Sequence, residues 1–119
     1  MRDYKKLQVW DRSHQLTLEI YKELKNFPKE ELFALTSQMK RSSSSIPTNI
    51  AEGAGRFTNK DFARFLTIAY GSANELEYQI ILSSDLGFLE HSKGEILIEK
   101  VQEIRKMLHA LINKLNSDS

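Results

Sequence analysis

Apolar residues recur at alternating intervals of three and four along four stretches of this chain, the spacing that places them on one face of an α-helix. In the first stretch Trp10, Ser13, Thr17, Ile20, Leu24 and Phe27 share that face, and Leu16 widens it. Pro28 cannot continue a helix and disfavours helical backbone at Phe27, so the first helix is predicted over about 9–26. Pro28 then opens a second helix, predicted over 29–54, with Glu30 and Glu31 in the first turn where the helix dipole favours negative charge. Leu32, Leu35, Met39, Ser42, Ile46, Asn49 and Gly53 carry its apolar period. Pro47 lies inside that run. It has no amide to donate and its ring crowds the carbonyl of Ser43, which predicts a kink rather than two separate helices. Gly53 and Gly55 are expected to end the element through the left-handed backbone glycine tolerates.

Thr58-Asn59-Lys60-Asp61 resembles a capping box with Asp in place of Glu, and opens a third helix over 59–86. Phe62, Leu66, Ala69, Ala73, Leu76, Ile80 and Ser83 form its stripe; Gly87, followed by apolar Phe88, suits a Schellman end. Ser92-Lys93-Gly94-Glu95 reads as an S-x-x-E capping box for a fourth helix over 93–115, with Leu97, Val101, Ile104, Leu108, Leu111 and Leu115 as the cleanest stripe of all. The polar residues 116–119 are expected to fray. No strand-like alternation competes, and the connections are short, which makes sequential helices antiparallel neighbours. The expected fold is all-α, a single domain over 1–119 built as an antiparallel up-down-up-down four-helix bundle. Ser42 to Ser45 then read as small side chains that let a neighbouring helix approach closely.

The third helix carries apolar residues beyond its core stripe: Phe65, Ile68, Tyr70, Tyr78, Ile81 and Leu82. Ile98, Met107 and Ile112 give the fourth helix a similar surplus. An isolated bundle needs one apolar face per helix. Part of the excess widens the core contact; Phe65, Ile68, Tyr70, Tyr78, Ile81, Ile98 and Ile112 are the candidates for a subunit interface.

At 119 residues the chain is the size of one ordinary domain. With no cysteine it has no disulfide, thiolate nucleophile or zinc-ribbon site, which fits a reducing, cytoplasmic setting. No N-terminal charged start and apolar run suggests a signal peptide, and no apolar run is long enough to cross a bilayer. Net charge is +1 but unevenly spread. Residues 1–64 carry 12 Lys/Arg against 8 Asp/Glu, a net of +4, and residues 65–119 carry 5 against 8, a net of −3.

Catalytic chemistry finds little support. A di-metal carboxylate bundle needs paired Glu-x-x-His motifs, and none of His14, His91 and His109 has one; the nearest match is a single Asp11-x-x-His14. The core stripes hold no carboxylate. No G-x-S-x-G elbow occurs, and Gly53-Ala54-Gly55 lacks the frame of a phosphate loop. Glu52 and Arg56 can pair at i,i+4, a structural contact more often than a catalytic one. No enzyme activity, metal or cofactor is therefore expected. Nucleic-acid binding finds modest support, the alternative being that the basic residues only keep the surface soluble. Lys40, Arg41, Arg56, Lys60 and Arg64 come from consecutive segments around the junction of helices two and three, and Arg2, Lys5, Lys6 and Arg12 form a second basic group. Such clusters contact phosphates by charge without reading bases. The competing class is a protein-interaction module with no nucleic-acid ligand.

One stretch is more specific than a generic bundle. Ile46-Pro47-Thr48-Asn49-Ile50-Ala51-Glu52-Gly53-Ala54-Gly55-Arg56 resembles the S-I-P-x-N-I-A-E-G-x-G-R signature of the 23S rRNA intervening-sequence proteins, a bacterial four-helix-bundle family. Leu35-Thr36-Ser37-Gln38-Met39 with Arg41 resembles the family's lead-in. Phe62 to Ala69 resembles its F-x-x-F-L-x-x-A, Gly71 to Glu77 its G-S-x-x-E-L-E, and Val9-Trp10 its start. Ser43 and Ser44 stand where alanine is common in the family. The resemblance implies a non-enzymatic homo-oligomer, with a pentamer favoured because a related branch, the accessory proteins of diversity-generating retroelements, forms pentameric barrels. That branch binds nucleic acid and a reverse transcriptase, which makes RNA or DNA and such a protein the possible partners to look for, while the resemblance leaves the cellular role open. Within the signature, Pro47, Asn49, Glu52, Gly53, Gly55 and Arg56 are expected to serve the fold, with Asn49 and Glu52 hydrogen-bonding around the exit from helix two.

Overall fold

The four apolar stripes meet in one core. The computed structural model describes residues 2–118, and every regular element among them is helical. They are α1 (Gln8–Leu24), α2 (Leu35–Ala54), α3 (Asn59–Asp85) and α4 (His91–Ser117), with short 3-10 turns at Tyr4–Lys6 and Lys29–Glu31. Leu16 and Ile20 of α1, Met39, Ile46 and Ile50 of α2, Phe62, Leu66, Leu76 and Ile80 of α3, and Leu97, Ile104 and Leu108 of α4 are wholly buried. The molecule is a four-helix bundle.

Polar contacts give the register. Along α2, Met39, Ser42 and Ser45 meet Ser83, Gln79 and Ser72 of α3 in turn, so the two helices run in opposite directions. Along α1, Arg12, Glu19 and Glu23 meet Glu103, Lys100 and Lys93 of α4, again in descending order. This second seam is the more loosely packed of the two. Its ion pairs are solvent-exposed, and each contributes about 0–1 kcal/mol.

The serine run lies inside α2, as expected. Ser42 Oγ donates to Gln79 Oε1 at 2.6 Å, deep in the α2–α3 contact, and Ser45 and Ser72 pair hydroxyl to hydroxyl at 2.9 Å. α2 is one continuous helix through Pro47. Proline leaves the Ser43 carbonyl without its helical N–H donor, and burial makes that loss costly. Thr17 of α1 supplies the replacement. Its Oγ1 lies 2.9 Å from the Ser43 carbonyl and also 2.9 Å from that of Ser13. Ser13 already accepts the Thr17 amide within α1, so the single hydroxyl proton is worth more on Ser43.

At the far end of α2, Gly53 presses against α3. A Cβ built there would lie 2.7 Å from Phe65 Cβ and 2.9 Å from Phe62 Cδ1. This close approach, rather than a left-handed cap, is why glycine stands there: Gly53 is inside the helix, and Gly55 caps it at φ −84°. The one positive φ among the described residues is Gly87 at 78°. There the Schellman end forms in full, with Gly87 N–H on the Ser84 carbonyl at 3.0 Å and Phe88 N–H on that of Ser83 at 2.9 Å. Phe88 closes against Phe27, ring centres 5.8 Å apart.

Other boundaries differ from the sequence expectation. The second helix starts at Leu35, not 29, because the chain after Pro28 makes only a 3-10 turn and leaves Leu32, Phe33 and Ala34 exposed while it crosses from α1 to α2. Leu32 therefore drops out of the core stripe. The first helix spans Gln8–Leu24 rather than 9–26, with Val9 buried in place of Trp10. The Ser92 box does not form: α4 begins at His91 and Ser92 lies inside it. Gly94 packs tightly on Ser84 and Leu89 is buried, so helix must start directly after the turn. Thr58 does cap α3, its Oγ1 accepting from Asp61 N–H at 3.1 Å. Asn116 and Ser117 belong to α4 rather than to a frayed tail, and Ser119 of that expected tail lies outside the described residues.

Two outcomes follow for stability. Thr17→Val should cost about 1–2 kcal/mol in denaturant unfolding. In a Pro47→Ala background, where the new alanine amide can serve the Ser43 carbonyl, the same change should cost clearly less; equal costs would refute the pairing. Gly53→Ala should cost about 1–3 kcal/mol by forcing α2 off α3.

Candidate nucleic-acid interface

The end of α2 and the start of α3 bring Arg56, Lys60 and Arg64 together, but not as a free basic patch. Arg56 reaches Glu52 at 3.3 Å, the expected i,i+4 pair, and Asp61 at 3.7 Å. Arg64 holds the other oxygen of Asp61 at 2.9 Å. Both guanidinium groups lie over the ring of Phe65, at 4.5 and 4.4 Å from its centre. Three cations face two carboxylates here, so the local excess is a single charge, and Lys60 is the member of this group without an ion pair among the described residues. Phe65 itself is 7% exposed, covered by the two arginines and by Gly53. It belongs to this packing and is not part of an outer interface.

Lys40 and Arg41 are elsewhere. About 21 Å of helix rise separates Lys40 from the Ala54 end of α2, so the five basic residues read together from the sequence form two groups. Lys40 Nζ sits 5.4 Å from the ring centre of Tyr21 on α1, and Arg41 is exposed. Around them at the same end of the bundle stand Lys22, Lys25 and Lys29. Among the described residues none of these five cations has a carboxylate within ion-pair distance, whereas the neighbouring Glu19 and Glu23 are turned to α4 and engaged by Lys100 and Lys93. The sequence reading missed Lys22, Lys25 and Lys29. Its available signal was a lysine at every third or fourth position across the end of the first helix, read only as part of the basic half. In the N-terminal group, Arg2 bonds Asn59 and covers Phe62, and Arg12 is paired with Glu103, which leaves Lys5 and Lys6 exposed.

The remaining signature residues act locally. Asn49 Nδ2 donates to the Ser45 carbonyl at 2.8 Å and approaches its Oγ at 2.9 Å, bracing the turn that follows the proline-affected carbonyl. Of the interface candidates, Tyr70, Ile98 and Ile112 are half-buried against the core and widen it. Ile68, Tyr78 and Ile81 stay exposed, Tyr78 at 60%. Gly71 lies among them on α3 with nothing near its Cα face. His14 stacks flat on Trp10 at 5.0 Å, which accounts for the Asp11-x-x-His14 spacing without a ligand. No cluster of three or more His, Cys, Asp or Glu that could hold a metal ion occurs among the described residues, and no helix there is long and apolar enough to cross a membrane.

Comparison with known proteins agrees with the signature. A crystal structure of a protein of unknown function from the S23 ribosomal protein family of Bacteroides thetaiotaomicron VPI-5482 superposes with a TM-score of 0.82 and 30% identity. The match covers 88% of this chain and 95% of that one. No curated protein matches the chain. The family model described as 23S rRNA-intervening sequence protein matches residues 5–110, and with Pro47, Asn49 and Gly53 in the structural roles described above, the chain belongs to that family.

Proposed function

We propose that this chain is a non-enzymatic, homo-oligomeric adaptor that holds RNA or DNA by charge. The observation that carries the reading is the group of five cations without carboxylate partners among the described residues, Lys22, Lys25, Lys29, Lys40 and Arg41, at one end of the α1–α2 pair. Their acidic neighbours on α1 are engaged by α4, and Glu30 and Glu31 on the connecting turn offset two of the five charges, so a local positive excess remains although the whole chain carries only +1. Lys60 adds a second, weaker point at the other end. In a closed ring, pentameric by family resemblance, each patch repeats once per subunit, and later contacts become intramolecular. Self-association is supported by α3. An exposed glycine inside a long helix costs stability of roughly 0.5–1 kcal/mol against alanine. Gly71 has no intramolecular reason to be there, and it lies between exposed Ile68 and Tyr78. A second copy packed on this face would supply the reason.

Wild-type protein should bind RNA and single-stranded DNA with little sequence preference, the logarithm of affinity falling with log salt at a slope steeper than about −2. Replacing Lys22 and Arg41 by Ala should flatten that slope by roughly 0.7–0.9 for each phosphate the variant no longer neutralises. No binding at low salt moves the reading to a protein-interaction module. In light scattering the wild type should exceed monomer mass at micromolar concentration, and Gly71→Asp with Tyr78→Asp should return it to monomer with helix content kept. A monomeric wild type would remove the assembly.

A further inference from the structure

Where α1 ends and α2 begins, Tyr21, Leu24, Lys25, Phe27, Pro28, Lys29, Leu32, Thr36 and Lys40 enclose a groove of about 290 Å³. Leu24, Phe27 and Pro28 make an apolar floor. Tyr21 and Leu32 form the sides and are open to solvent, at 41% and 49% exposure. Lys25, Lys29 and Lys40 stand at the rim. No carboxylate among the described residues lines the groove: Glu23 is engaged by Lys93 at 3.8 Å, and Glu30 and Glu31, though on the same 3-10 turn as Lys29, are not among its walls.

Thr36 is the telling residue. It is 5% exposed, yet its hydroxyl has no hydrogen-bond partner among the described residues. The other buried polar side chains, Ser13, Ser42, Ser43, Gln79 and Ser83, all have one. No fully enclosed side-chain polar atom among the described residues goes unpaired, so the Thr36 hydroxyl keeps contact with solvent, and Thr36 is one of the residues that line the groove. A largely buried hydroxyl with no intramolecular partner, on a groove that three unpaired ammonium groups also line, is available to donate to a ligand seated there.

We propose that this groove is a nucleotide subsite: a phosphate ester held by Lys25, Lys29, Lys40 and the Thr36 hydroxyl, with the base or sugar laid against Tyr21 and Leu32. The volume is at the small end of ligand pockets, which suits one nucleotide unit. Lysines supply charge to the phosphate without fixing its angle, the hydroxyl supplies one directed donor, and the tyrosine ring accepts any base face. The idea deepens the nucleic-acid reading and rests on it for the source of the ligand, a single strand rather than a free nucleotide. A duplex keeps its bases stacked inside and cannot offer one to Tyr21.

The test is amide NMR of the full chain titrated with adenosine monophosphate, inorganic phosphate, adenosine, an acidic peptide, and single-stranded or duplex oligonucleotides. The monophosphate should shift the Thr36 and Ser37 amides, with inorganic phosphate and adenosine each weaker by at least about tenfold. The single strand should shift the same amides and the duplex should not. Lys25→Ala with Lys29→Ala should weaken monophosphate binding at least about tenfold, Thr36→Val several-fold, and Lys114→Ala, in the last turn of α4, not at all. Unfolding midpoints of the lysine variants should match wild type, since these side chains hold nothing in the fold. A single strand that binds wild type and the lysine variants equally, without moving Thr36, overturns the groove while leaving the adaptor reading intact. A monophosphate that moves Thr36 when no strand binds upholds the groove and sinks the adaptor reading. An acidic peptide that matches the monophosphate, or silence at Thr36 with every probe, overturns the subsite.

Discussion

The structure depends on how closely α2 can lie against its neighbours. α2 carries serines and a glycine where large apolar residues would ordinarily stand, and each one sits at a contact. Ser42 meets Gln79, Ser45 meets Ser72, and Gly53 meets the Cβ of Phe65 with no room for a Cβ of its own. Small side chains bring backbones together, but they bury little apolar area. Hydrogen bonds between the helices make up part of that deficit and fix the register at the same time, since a one-turn slip would leave the buried Gln79 Oε1 without the Ser42 hydroxyl. Pro47 adds to the same constraint. Its missing amide makes α2 depend on Thr17 of α1 for a backbone bond that a helix normally supplies itself.

That packing decides what the charges can do. At the tip where α2 meets α3, the close approach brings Arg56, Arg64, Glu52 and Asp61 over one ring, and the arginines are used to roof Phe65. Their aliphatic stems and planar heads cover apolar surface as well as pairing with carboxylates. The α1–α4 seam likewise takes up Arg12, Lys93 and Lys100. What is left over is the other end of the α1–α2 pair, where lysines stand without ion-pair partners: the acids of α1 are engaged by α4, and Glu30 and Glu31 on the connecting turn pair with none of them. The field of the molecule is set by which cations the bundle leaves unpaired, and only weakly by the net charge.

The family signature gains a physical reading from these contacts. Pro47, Asn49, Gly53 and Arg56 all serve the path of α2 past α1 and α3, and none of them lines the groove at the opposite end. About 17 Å of helix rise separates Thr36 in the proposed site from Pro47, and about 26 Å separates it from Gly53. The signature residues therefore account for the fold and not for the proposed ligand site.

The sequence by itself determined the all-helical bundle, because the three-four spacing of Phe62 to Ser83 and of Leu97 to Leu115 admits no other regular structure. It also determined the turns whose chemistry is local: the Thr58 cap, the Gly87 end with Phe88 behind it, and the Glu52–Arg56 pair, all within a few residues of one another. The tertiary structure decided everything that pairs distant residues. It started α2 at Leu35 and α4 at His91, because the crossing turns and the Gly94–Ser84 contact, not the capping residues, set where helix begins. It buried Phe65, split the surplus apolar residues between core and surface, and separated Lys40 from Arg56. Periodicity reports which face of a helix is apolar. It carries no information on which charged side chain of one helix meets which of another, and that pairing is what distinguishes a solvated arginine from a roof and a free lysine from half of an ion pair.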